Sequence, residues 1–98
     1  MSYLVTVTFE LKTERSGNYQ GLDQALSALG LSRKITGSSG KTHDLPSNVY
    51  AGAFEGENVA SVRTDVAERV ESAFQRTGTK ATIFIAVGRN WSWALRYT

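Results

Sequence analysis

The chain has 98 residues, 41% of them hydrophobic and 20% charged, with eleven Lys and Arg against nine Asp and Glu for a net charge of +2. That length makes one domain, 1–98, with a single modest core, and the charge is too mild to grip nucleic acid by electrostatics alone. Without cysteine there are no disulfides, thiolate metal sites or cysteine nucleophiles; with no apolar run near the roughly 18 residues of a membrane span and no signal-like N-terminus, a cytoplasmic protein without membrane contact is expected.

Along the chain, Tyr3, Val5, Val7, Phe9 and Leu11 alternate with Leu4, Thr6, Thr8, Glu10 and Lys12. This period of two predicts a strand with one face in the core and one more polar face. Turn chemistry at Ser16-Gly17-Asn18 leads to a helix carrying Leu22, Ala25, Leu26 and Leu29, which Gly30 is placed to stop. A short second strand is expected from Arg33 to Thr36, and then a loop or irregular hairpin from Gly37 to Asn48 that contains the only proline, Pro46. Val49 to Phe54 reads as a third strand, with Gly52 a bulge or a point of close contact.

Asn58 can cap the next helix, whose stripe is Val59, Val62, Val66, Val70, Ala73 and Phe74, and Gly78 ends it. Arg69 and Arg76 are expected to pair on its surface with Glu68, Glu71 or Asp65. "KATIFIAV" is a near-continuous apolar run, as in a strand buried in the middle of a sheet. After a turn at Gly88-Arg89-Asn90, Trp91, Trp93, Leu95 and Tyr97 alternate with Ser92, Ala94 and Arg96, a fifth strand with a large aromatic face. The sequon Asn90-Trp91-Ser92 reads as chance without a secretion signal.

The order gives an α+β fold, a ferredoxin-like βαββαβ sandwich with an additional C-terminal fifth strand. Both helices cover one sheet face, so Thr6, Thr8 and Glu10 lie on the other. Two tryptophans and a tyrosine on a seven-residue tail either fold back over their own core or cross to a partner's sheet edge; the second, a homodimer by C-terminal strand exchange, is the preferred expectation.

"ITGSSGKTHD", Ile35 to Asp44, suggests a nucleotide-binding loop and fails the test for one. Counting back from Gly40-Lys41-Thr42, the first glycine of a P-loop should stand at position 35, which is Ile35, and the next element reads as a strand rather than a helix. No nucleotide cofactor is expected, although Lys41 could touch a phosphate.

The motif "TFEL", with Phe9, Glu10 and Leu11, the strand–helix order and the tail "GRNWSWA" together resemble the small CRISPR-associated ribonuclease-like ferredoxin-fold family, with its GhoS-type, VapD-type and SinR-labelled relatives. The resemblance implies a dimer whose terminal strand joins the partner's sheet, and action on RNA or DNA. It also implies endoribonuclease (hydrolase) chemistry in a toxin–antitoxin or defence setting. Active members carry an aspartate at the end of the first strand, proposed to hold a divalent cation such as Mg2+ across the dimer. That position is Glu10, whose extra methylene moves the carboxylate in a site that wants near-octahedral order.

Glu10 is therefore the candidate catalytic and metal-binding residue, against a plain interface or solvated acid paired to a cation such as Arg96. His43, the only histidine, is a candidate general acid or base, against ordinary polar surface. Arg15, Arg33, Lys34 and Lys41 are candidates to hold a phosphate backbone, against solvated charge. The competing function is a non-catalytic homodimeric binding or scaffold protein of the same fold.

Overall fold

A computed structural model describes residues 1–12 and 19–98. The expected turn at Ser16-Gly17-Asn18 and the candidate Arg15 lie outside the described residues. The elements are β1 (Ser2–Leu11), α1 (Tyr19–Leu29), β2 (Lys34–Thr36), β3 (Thr42–Asp44), β4 (Val49–Glu55), α2 (Val59–Arg76) and β5 (Ala81–Gly88). They make a mixed α+β domain: a three-stranded antiparallel sheet ordered β4-β1-β5 and a two-stranded sheet of β2 and β3.

The alternation in β1 does what period two requires. Tyr3, Val5, Val7 and Phe9 are buried against the helices, whereas Leu4, Thr6 and Thr8 are half-exposed and Glu10 is exposed on the opposite face. From α1 the core takes Leu22 and Leu26, and from α2 Val62, Val66, Val70, Ala73 and Phe74. Phe9 meets Phe74 edge-on, with ring centroids 5.1 Å apart, which locks the sheet to α2.

The helix ends follow their local chemistry. The Asn58 side chain accepts from the Ser61 backbone N–H at 2.8 Å, while the Ser61 hydroxyl donates back to the Asn58 carbonyl at 3.1 Å. Gly30 and Gly78 both adopt the left-handed backbone that closes a helix, at φ 99° and 69°. Gly52 is a point of close contact: a Cβ there would collide with the Gly30 carbonyl oxygen, so β4 and the end of α1 meet backbone to backbone.

Two expectations need correction. The apolar run of β5 lies at an edge and not in the middle, because β1 holds the centre and β5 pairs with β1 alone among the described residues. Its inward residues Ile83, Ile85 and Val87 are half-buried, and Thr82, Phe84 and Ala86 are exposed. The tail from Trp91 to Thr98 forms no strand among the described residues. Of the two alternatives for the Gly37–Asn48 stretch, the structure has the hairpin: β3 folds back on β2 with Ile35 opposite His43.

Candidate functional site

Three surfaces hold the residues singled out by sequence. The first is the sheet face that the helices leave bare. β1 contributes Thr6, Thr8 and Glu10; β5 contributes Ala86, Phe84 and Thr82 directly opposite them. Glu10 is exposed and forms no ion pair among the described residues. Arg96, its expected partner, donates instead to the neighbouring Leu95 carbonyl at 3.1 Å. The most exposed aromatic ring of a strand is here as well: Phe84 is 64% exposed beside Thr8.

Sequence reasoning missed Phe84, although its parity was visible. In "ATIFIAV" the β-branched core residues occupy the odd positions, which sends Phe84 to the other face with Thr82 and Ala86.

The second surface is a polar groove of about 460 Å³ lined by Asp23, Ser32, Arg33, Lys34, Asp44 and Ser47, among others. Tyr50 is buried in the core, and its hydroxyl donates to Asp23 at 2.8 Å. Burial first, and then the hydrogen bond to Asp23, push the Tyr50 phenol well above its ordinary range. The Asp23 carboxylate faces the Arg33 guanidinium at 3.6 Å, and Arg33 also reaches the Ser47 carbonyl at 3.5 Å. The Tyr19 hydroxyl donates to that same carbonyl at 2.9 Å. Lys34 binds Asp44 at 2.6 Å, and this bond and the ammonium charge hold the Asp44 carboxyl below the usual carboxylate range. The cations Arg33 and Lys34 are thus matched by Asp23 and Asp44, and the groove has no surplus of positive charge.

The third surface is a groove of about 470 Å³ between the β2–β3 hairpin and the tail, lined by Thr36, Gly37, Ser38, Ser39, His43, Trp91, Ser92 and Trp93. The Trp93 ring lies against Gly37 and stands edge-on to His43, with centroids 6.3 Å apart. His43 is half-buried there.

The structure therefore separates the two candidate catalytic residues. Glu10 is paired across to Thr82 in the three-stranded sheet, whereas His43 belongs to the hairpin and faces a tryptophan. Among the described residues no three of His, Asp or Glu come together as a metal site. One carboxylate is too thin a donor set for a near-octahedral ion such as Mg2+, so the described residues around Glu10 alone do not fit it, and a further carboxylate would be required.

No helix of the described residues is long and apolar enough to cross a membrane. Comparison of the chain with protein-family models, curated proteins and solved structures found no match.

Proposed function

We propose that this protein is a nucleic-acid-acting domain of the CRISPR-associated ribonuclease-like group, with ferredoxin-like topology, whose bare sheet face receives single-stranded RNA. The topology is supported by the order β4-β1-β5 and by the antiparallel bridge between Ser32 and Ala51, which sets the segment before β2 beside the outer edge of β4. The observation that carries the function is Phe84, a ring 64% exposed on the face opposite the helices, with threonine hydroxyls around it. An aromatic platform accepts any base, at about 1–3 kcal/mol for each base stacked, and does not need a strongly basic surface. The net charge of +2 suits such a mode better than backbone gripping.

Cleavage is the second reading, favoured by the exposed carboxylate of Glu10 at the rim of the same face. It would make the protein an endoribonuclease of a toxin–antitoxin or defence system, with the partner's Glu10 completing a divalent-cation site. The separation of Glu10 from His43 favours binding without cleavage, the role of a homodimeric binding or scaffold protein.

Labelled single-stranded RNA and DNA, titrated by fluorescence anisotropy with magnesium and with chelator, separate these readings. Phe84→Ala should weaken RNA binding about tenfold. Unchanged affinity in that variant, or no binding to either polymer, would overturn the stacking face. RNA cleavage that needs magnesium and is lost in Glu10→Ala would establish the second reading in place of binding alone.

A further inference from the structure

The hairpin tip that imitates a phosphate loop lies beside the tail's two tryptophans, at the β4 end of the sheet and away from Phe84 on β5. The Gly37 N–H donates to the Lys41 carbonyl and the Gly40 N–H to the Gly37 carbonyl, both at 3.0 Å, so the tip is a tight turn with Ser38 and Ser39 at its apex. Gly40 takes the left-handed conformation this turn needs, at φ 85°. Among the described residues the hydroxyls of Ser38 and Ser39, the ammonium of Lys41 and both indole N–H groups have no hydrogen-bond partner, and Lys41 has no acid beside it. Arg33 and Lys34, by contrast, are already engaged with Asp23 and Asp44.

We propose that the groove between the hairpin tip and the tail is a nucleotide seat. One base of a single strand lies on the indoles of Trp91 and Trp93, and the adjoining phosphate meets Lys41 and the serine hydroxyls. Its volume, about 470 Å³, is that of a small-ligand pocket. Trp91 is 40% exposed, leaving ring surface for stacking, while Gly37 and His43 hold Trp93 from behind. Lys41 does not line the groove itself but follows its lining residues Ser38 and Ser39 in the same turn, from which its unspent ammonium supplies the charge that a phosphate requires. This deepens the nucleic-acid reading by adding a second contact beyond the sheet face, and it can be tested apart from it.

The chain has two tryptophans, and both line this groove as well as a smaller one against Leu4, Ala51 and Ala53 of the sheet, so tryptophan fluorescence detects binding and the Lys41→Ala variant assigns it to the seat. AMP should change that fluorescence saturably, with adenosine roughly tenfold weaker for want of the phosphate contact. Lys41→Ala, at an exposed tip with no structural partner, should bring AMP down to the adenosine level while leaving the circular dichroism unchanged. Trp91→Leu should weaken AMP and adenosine alike, with Trp93 still reporting. No saturable response to AMP, or an equal response to glucose, would overturn the seat. So would adenosine matching AMP, or AMP binding indifferent to Lys41→Ala. If RNA binds and falls with Phe84→Ala while AMP has no effect, the seat fails and the face stands. If AMP binds as described and RNA does not, the polynucleotide reading fails and the seat stands.

Discussion

Tyr50 shows how a single hydroxyl links the core to the surface. Its ring is buried, and its O–H reaches Asp23, which in turn faces Arg33. Tyr50→Phe keeps the ring and removes the bond; Asp23 is partly exposed and can be rehydrated, so the loss at neutral pH should be about 1 kcal/mol by denaturant titration. The pH dependence distinguishes this role from simple packing. The folded phenol is held protonated above its ordinary pKa, so the unfolded chain loses its proton first as pH rises. Stability from this group is fully present below about pH 10, and it falls above that because the unfolded state then binds fewer protons. The wild-type advantage over Tyr50→Phe should therefore shrink at alkaline pH; an advantage that stays constant to the onset of global alkaline unfolding would contradict the assignment. The Lys34–Asp44 pair has the opposite sign, lost as pH falls, but it is exposed and screened.

The elements with a strong period were legible in the sequence. β1 shows its two faces by strict alternation, and of the stripe read for α2, Val62, Val66, Val70, Ala73 and Phe74 are buried while Val59, in the first turn, is exposed. Asn58 and Gly78 bound that helix as their side chain and backbone freedom dictate, and Arg69 pairs with Asp65 one turn away at 3.1 Å. The cap can be weighed directly. Asn58→Ala removes the acceptor for the Ser61 N–H and should cost about 1 kcal/mol, a fall in melting temperature of about 4–8 °C for a domain of this size. A smaller change than one degree would mean that water replaces the cap without loss. β2 was legible at Arg33 to Thr36, and β3 completes the hairpin that was one of two alternatives for Gly37 to Asn48. Illegible were the elements whose state depends on partners distant in sequence. "ATIFIAV" has the composition of a central strand, and only the pairing of β1 with both β4 and β5 makes it an edge. The candidate site was legible as a set of residues on the polar face of β1 and along the hairpin. That Glu10 and His43 lie apart follows from the placement of that hairpin, which no local pattern encodes.

At the scale of the whole molecule the unresolved tension is the outer edge of β5. An edge strand normally carries a charge, a proline or a bulge that discourages pairing, and Thr82 to Val87 carry no charge and no proline. The exposed ring of Phe84 adds apolar surface next to that edge, and the tail contributes Tyr97, 75% exposed. We propose that a second copy covers this edge, with the tail of each protomer exchanged onto the partner's sheet. Exchange must release Trp93 from Gly37 and His43, a modest cost because the tail contributes no residue to the buried core; it opens the groove between hairpin and tail, so the exchanged dimer and the nucleotide seat are alternative placements of the tail and AMP should favour the monomer. Sedimentation equilibrium should then show a dimer for the intact chain and a monomer after removal of residues 91–98, with the helical signal retained since α1 and α2 lie outside the deletion. A truncated chain that still dimerises would place the interface on β5 and Phe84 without the tail, and Phe84→Lys should then dissociate it. An intact chain that remains monomeric at high concentration would remove the exchange altogether. It would also remove the form of the metal reading in which the Glu10 carboxylates of two protomers share an ion.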